Sequence, residues 1–170
     1  MPSSIKVYGE SNTQQTPNTE YSGINSSAWQ TLAQGEYSAA LNIFAQEAQS
    51  HPNSGVPKAG YALAIASSGN LKKGVWALRR AFRIDPDSLH YLNLDEKNHS
   101  LIDDLIGQYT AQRSDSDVDQ AFMESALNYL KHDYQSAKRS IVTAREYGDK
   151  SPSLTNLQRL IDKQSIDQAK

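Results

Sequence analysis

The fold of this chain is decided by residues 60–86, which read GYALAIASSGNLKKGVWALRRAFRIDP. Apolar residues recur at helical spacing in the first part, and Gly69-Asn70 then interrupts them, because both residue types tolerate a left-handed turn. The apolar stripe resumes at Leu71 and ends before Pro86, which cannot continue a helix. The stretch therefore predicts two helices joined by a tight turn.

The same pattern occurs earlier in the chain, where Gly35-Glu36-Tyr37 stands in place of Gly69-Asn70-Leu71. Other pairs share this offset: Ala28 with Ala62, Ala40 with Gly74, Phe44 with Leu78, Ala48 with Phe82, and Pro52 with Pro86. In each pair the two residues are 34 positions apart. This is the length of one helix-turn-helix unit in a tetratricopeptide repeat, about 34 residues. With Gly60-Tyr61-Ala62 and Ile84-Asp85-Pro86, the stretch resembles the tetratricopeptide-repeat (TPR) family. The resemblance implies an all-α, TPR-like solenoid of antiparallel helical hairpins.

A third, displaced unit follows the same pattern. Phe122, Ala126 and Tyr129 lie on one helical face, and Asp133-Tyr134 opens a further helix after a turn that looks one residue shorter than usual. Tyr134 lies 63 residues after Leu71. One repeat accounts for about 34 of them, so roughly 29 residues are inserted between the second and third units.

These patterns predict one helical domain over residues 22–165, with repeat units at about 22–54, 55–88 and 116–150. Ser151-Pro152 is typical of a helix start, which predicts a C-terminal capping helix over residues 152–165. Residues 1–21 carry few apolar side chains and are predicted to be a flexible N-terminal arm.

The insert covers residues 87–115 and contains an apolar stripe at helical spacing from Leu101 to Ala111. Ser100 is the expected cap of this helix. Two interpretations stay open: the helix is an additional packing element, or the insert lines or covers a binding groove.

Composition excludes several classes of protein. The net charge of −2 and the pI near 6.1 give no electrostatic reason to expect nucleic acid or a membrane surface as the partner. The absence of cysteine excludes disulfides and thiolate catalysis. No apolar run is long enough to span a membrane, and the N-terminus lacks the pattern of a signal peptide, so we expect a cytoplasmic location.

The sequence predicts no catalytic, metal or cofactor site, and we expect no enzyme. Asp115 to Asp119 resembles the start of a calcium loop, but Gln120 and Ala126 replace the glycine and the glutamate that such a loop needs. The acids are instead expected to cap a helix that begins near Asp117. The histidines have no metal-ligand spacing; they are His51, His90, His99 and His132.

The TPR resemblance implies that the first helix of each hairpin lines a concave groove that binds a protein or peptide. The Lys and Asn clamp of one TPR subgroup is missing, and apolar residues stand at the inward positions. The predicted partner-binding residues are Trp29, Leu63, Met123, Leu127 and Leu130. The expected function is an interaction adaptor or scaffold with an apolar groove. The alternative is a structural or self-assembling module with an internally filled groove, and the chain would be a monomer or a homodimer.

One basic cluster stands out on the polar side of the helix from Leu71 to Ile84. It consists of Lys72, Lys73, Arg79, Arg80 and Arg83. Such a face is either a solvated outer surface or a contact surface for an acidic partner.

Overall fold

Residues 26–112 and 114–168 are described by the structure, a computed structural model, and the arm predicted over residues 1–21 lies outside them. Regular secondary structure in these described ranges is entirely helical, as the sequence predicts. The helices are α1 (Ser27–Ala33), α2 (Tyr37–Ser50), α3 (Gly55–Ser67), α4 (Leu71–Ile84), α5 (Pro86–His90), α6 (Glu96–Ala111), α7 (Val118–Leu130), α8 (Tyr134–Glu146) and α9 (Pro152–Gln168). Helices α2 and α4 have 14 residues each and begin one repeat period apart, at positions 37 and 71.

Four helix ends share one turn geometry. The second residue after the helix has a positive φ at Gly35 (81°), Gly69 (104°), His132 (66°) and Gly148 (95°). The next backbone N–H then bonds back across the turn, as that of Asn70 does to the carbonyl oxygen of Ile65 at 3.1 Å. The turn between α7 and α8 therefore has the same length as the turns between α1 and α2 and between α3 and α4. The expectation of a shorter turn is wrong, because a histidine takes the left-handed position that glycine holds elsewhere.

Helices that are neighbours in the chain make the most extensive contacts: α1 with α2, α2 with α3, α3 with α4, and α7 with α8. Helix α9 packs against α4, α5 and α8 and buries one apolar stripe, Leu154, Leu157, Leu160 and Ile161. Ser151 caps it, since the Ser151 hydroxyl accepts a hydrogen bond from the backbone N–H of Leu154 at 3.3 Å. The last helix thus covers the end of the second and third hairpins.

The inserted helix α6 begins earlier than predicted. Its N-cap is Asp95, whose side chain accepts a hydrogen bond from the backbone N–H of Asn98 at 2.9 Å. Ser100 therefore lies inside the helix, and the prediction that it is the cap is wrong. Helix α6 packs against α7, α1 and α3, which are the first helices of the three hairpins.

Gly74 permits a close contact of α4 with both α3 and α6. A Cβ atom at this position would lie 2.7 Å from the Tyr109 hydroxyl oxygen of α6 and 2.8 Å from the Cβ of Ala66 in α3. Both distances are shorter than atomic contacts allow, so only glycine fits without a shift of a neighbouring group. Ala81, further along α4, is fully buried.

Candidate functional site

The five residues predicted to bind a partner lie on the first helices α1, α3 and α7, on what we call the inner surface. This surface is buried. Each of the five side chains is 5% exposed or less: Trp29, Leu63, Met123, Leu127 and Leu130. They belong to one continuous core together with Ile102, Leu105 and Tyr109 of α6. The structure agrees with one of the two interpretations of the insert: α6 packs against α1, α3 and α7, which carry these five residues, and the residues have almost no exposed surface.

Polar contacts fasten α6 along this inner surface. The Tyr109 hydroxyl donates a hydrogen bond to the carbonyl oxygen of Leu71 at 2.7 Å, and the Asn98 side-chain amide donates one to the carbonyl oxygen of Trp29 at 3.2 Å. Lys131, after α7, forms an ion pair with Asp103 of α6. Burial raises the pKa of Tyr109 and so favours the protonated hydroxyl that donates this hydrogen bond. These contacts hold the insert as part of the core.

The basic cluster does not form one continuous face, because Arg79 points inward. Its guanidinium binds the Asp149 carboxylate at 2.8 Å and the Asp119 carboxylate at 2.9 Å, and it donates to the Ser151 hydroxyl at 2.9 Å. The carbon centre of the guanidinium also lies 4.2 Å from the centroid of the Phe122 ring. Arg79 therefore joins α4 to α7 and α9. Its prediction as a contact for an acidic partner is corrected, while Lys72, Lys73, Arg80 and Arg83 are exposed.

Asp149 is the buried partner of Arg79. Burial alone would raise the pKa of Asp149, but hydrogen bonds from the Ser151 side chain and backbone N–H and the charge of Arg79 outweigh it and lower the pKa. The carboxylate form is therefore the form that the folded protein favours.

A hollow lined by residues of α2, α3 and α4 offers an accessible site, which we call the outer groove. It has a volume of about 300 Å³ and lies between α2 and α4, with residues of α3 contributing to its wall. Its lining residues are Ala45, Ala48, Gln49, Pro52, Lys58, Tyr61, Trp76, Ala77 and Arg80. The surface combines small apolar side chains, two aromatic rings and two cationic groups.

Lys58 is the buried cation of the outer groove. The residue is 7% exposed, and its ammonium donates hydrogen bonds to the carbonyl oxygens of Pro52 at 2.6 Å and Ser54 at 3.2 Å. Burial lowers the pKa of Lys58, the positive charge of Arg80 lowers it further, and Asp85 opposes both. No carboxylate forms an ion pair with Lys58 among the described residues.

Trp76 is the aromatic element of the outer groove that is open to solvent. Its side chain is 57% exposed, and the Arg80 guanidinium lies 5.6 Å from its ring centroid. The second ring of the groove, Tyr61, is half-buried, and the Lys73 ammonium lies 5.9 Å from its ring centroid. Sequence reasoning identified Arg80 and missed Lys58 and Trp76. A tryptophan on the polar side of α4 was the signal that could have pointed to this surface.

The calcium-like acids act as a helix cap. The Asp117 carboxylate accepts a hydrogen bond from the backbone N–H of Gln120 at 3.0 Å, which confirms the predicted cap of α7. Within residues 26–112 and 114–168, no group of His, Cys, Asp or Glu has the arrangement of a metal site. None of the helices in the same ranges combines the length and apolarity that a bilayer span requires.

Compared with known proteins, the chain matches no family model, no curated protein and no solved structure. A function is therefore inferred from the arrangement of its own residues.

Proposed function

We propose that this chain is a TPR-like interaction module that binds a peptide segment of a partner protein in the outer groove. The observation that carries the proposal is Trp76, a large aromatic side chain left 57% exposed beside a hollow of about 300 Å³. Tryptophan and arginine are enriched among the side chains that contribute most to protein interfaces, and Arg80 accompanies Trp76 here. A peptide that covers Trp76 would remove apolar area from water, which is a main driving force of association.

The proposal places binding on a different surface from that predicted by the sequence. An apolar ligand on Leu63, Leu127 and Leu130 would have to displace α6 and break its hydrogen bonds to Leu71 and Trp29. The outer groove needs no such rearrangement, so binding there costs less conformational free energy. The TPR-like part of the proposal is supported by the starts of α2 and α4, which lie one repeat period apart.

A structural or self-assembling role is the second candidate, and the filled inner surface favours it. In that case the exposed apolar side chains would contact a second copy of the chain. Multi-angle light scattering separates the two: a molar mass of a stable dimer that is lost in Trp76→Ala would favour self-assembly, whereas a monomer favours binding of a different partner.

Peptide selection tests the proposed function directly. A random dodecapeptide library is selected on the immobilised full chain, and the recovered peptides are tested against Trp76→Ala. The matched control is Tyr91→Ala, since Tyr91 is another exposed aromatic residue and does not line the outer groove. We expect peptides whose binding is lost in Trp76→Ala and kept in Tyr91→Ala. Recovery of no peptide, or of peptides that bind both variants equally, would contradict the proposal.

A further inference from the structure

We infer that the outer groove selects peptides in which a carboxylate lies beside apolar side chains, with the carboxylate held by Lys58 and Arg80. This inference rests on the proposed function and specifies the chemistry of its ligand. Binding of such a peptide requires cations at the groove and an apolar wall next to them.

The first cation, Lys58, lines the outer groove. Lys58 uses two of the three N–H groups of its ammonium on the carbonyl oxygens of Pro52 and Ser54. Buried ammonium groups are normally paired, and no ion pair with Lys58 is present in the described part of the chain. Asp85 is the acid that acts on it electrostatically, and one Asp85 carboxylate oxygen accepts a hydrogen bond from the backbone N–H of Gly55 at 2.9 Å. A ligand carboxylate would supply the missing negative charge.

Arg80 places a second cation at the same wall. Its side chain is exposed, its guanidinium faces the Trp76 ring, and its charge acts on Lys58 strongly enough to affect the pKa of that residue. No carboxylate forms an ion pair with Arg80 in the described ranges. A planar guanidinium matches the geometry of a carboxylate, so Arg80 is suited to bind the acid from the solvent side.

Apart from Gln49, the remaining wall of the outer groove is apolar or aromatic. It consists of Ala45, Ala48, Pro52, Tyr61, Trp76 and Ala77. A volume of about 300 Å³ is at the lower end of ligand-binding pockets, which suits one or two side chains rather than a folded surface. An acidic side chain flanked by apolar ones would satisfy the cations and the apolar wall together.

The charge of the chain favours a peptide over a polyanion. The net charge is −2, and two acids, Asp85 and Asp87, follow directly after the cations of α4. A nucleic acid strand needs an extended basic surface along its phosphates, and the outer groove offers one localised pair of cations. Recognition of a single carboxylate is what this arrangement can do.

The test uses an array of acetylated, amidated hexapeptides, so that the only variable acid is in the sequence. One central position is Asp, Glu, Asn or Gln, and both neighbours of that position are Leu, Phe or Ala. Binding of the full chain is measured for each member, for Arg80→Gln and for Lys72→Gln. Lys72 is the matched control because it is an exposed cation of the same helix outside the groove.

We expect Asp or Glu peptides with Leu or Phe neighbours to bind about tenfold more tightly than their amide counterparts, as one charge-assisted hydrogen bond would give. The preference should disappear in Arg80→Gln and persist in Lys72→Gln. Lys58→Met should also remove it, and because its ammonium is buried, this variant is compared only if circular dichroism shows it folded. The Arg80 result decides the question if Lys58→Met does not fold.

Other outcomes separate this inference from the proposed function. Equal binding of acid and amide peptides, still lost in Trp76→Ala, would overturn the carboxylate preference and leave peptide binding intact. No binding by any member, together with a failed library selection, would overturn both. Tighter binding of a single-stranded oligonucleotide than of any acidic peptide would also overturn the inference.

Discussion

The contact at Gly74 allows a quantitative prediction. Gly74→Ala adds one Cβ atom 2.7 Å from the Tyr109 hydroxyl oxygen and 2.8 Å from the Cβ of Ala66. Either α6 moves away from α4, or the Tyr109 ring rotates and its hydrogen bond to the Leu71 carbonyl oxygen lengthens. The substitution therefore tests whether the inserted helix is packed in the core.

Three contributions set the magnitude. Overpacking costs about 1–3 kcal/mol. Loss of the buried Tyr109 hydrogen bond costs about 1 kcal/mol. Replacement of glycine by alanine inside a helix recovers about 1 kcal/mol. We expect a net loss of about 1–3 kcal/mol in the free energy of unfolding, which lowers Tm by several degrees in a domain of this size.

Urea unfolding followed by circular dichroism measures the effect, with Gly107→Ala as the control. A Cβ at Gly107 meets no atom within 4 Å, so this substitution in α6 should stabilise the protein by about 0.5–1 kcal/mol. A double-mutant cycle with Tyr109→Phe adds specificity, since removal of the hydroxyl relieves one contact. The cost of Gly74→Ala should fall by about 1 kcal/mol in that background. Additive effects, or stabilisation by Gly74→Ala, would refute the assigned packing of α6.

Further predictions concern the interhelix ion pair, the insert and the exposed tryptophan. Asp149→Asn should destabilise the protein by about 1.5–3 kcal/mol, because Arg79 loses a buried charged partner, and urea midpoints measure this. Since the folded pKa of Asp149 is lowered, its contribution is present above the ordinary aspartate pKa and is lost as the pH falls through the folded value. The stability difference between the wild type and Asp149→Asn should therefore shrink on acidification, and a constant difference would contradict the assignment. Deletion of residues 98–112 should increase the fluorescence of an apolar dye, because α6 covers the inner core; unchanged fluorescence would mean that the surface was already open. Trp76→Ala should change Tm by less than about 2 °C, as expected for an exposed side chain, whereas a larger loss would show that Trp76 supports the fold.

Local patterns predicted the helices well where periodicity and capping agree. The helix expected from Leu71 to Ile84 has those bounds in α4, and the helix expected after Asp117 is α7. The start of α6 was missed because Asp95 caps a polar first turn that carries no apolar stripe. His132 was missed for a related reason, since its left-handed backbone is uncommon for a residue other than glycine.

The candidate site was harder to predict from the sequence than the helices were. The helical pattern predicts five apolar residues of the first helices as partner-binding residues, and the structure buries all five in the core to which α6 contributes. Arg79 and Arg80 are adjacent in sequence, yet one is in an interhelix ion pair and the other lines the outer groove. Adjacent residues on a helix point in different directions, so their environments depend on which helices pack nearby.

Local patterns were enough to predict the helical class and the bounds of helices such as α4, because periodicity, caps and turn residues act over a few neighbours. They did not predict the short helix α5, and they could not show which helix faces are covered. Arg79 meets Asp119 and Asp149 across 40 and 70 residues of chain, and Tyr109 reaches Leu71 across 38. An apolar stripe indicates that one face of a helix is buried, but it does not indicate which distant helix packs against that face. For that reason the burial of the inner surface and the presence of the outer groove could be seen only in the tertiary structure.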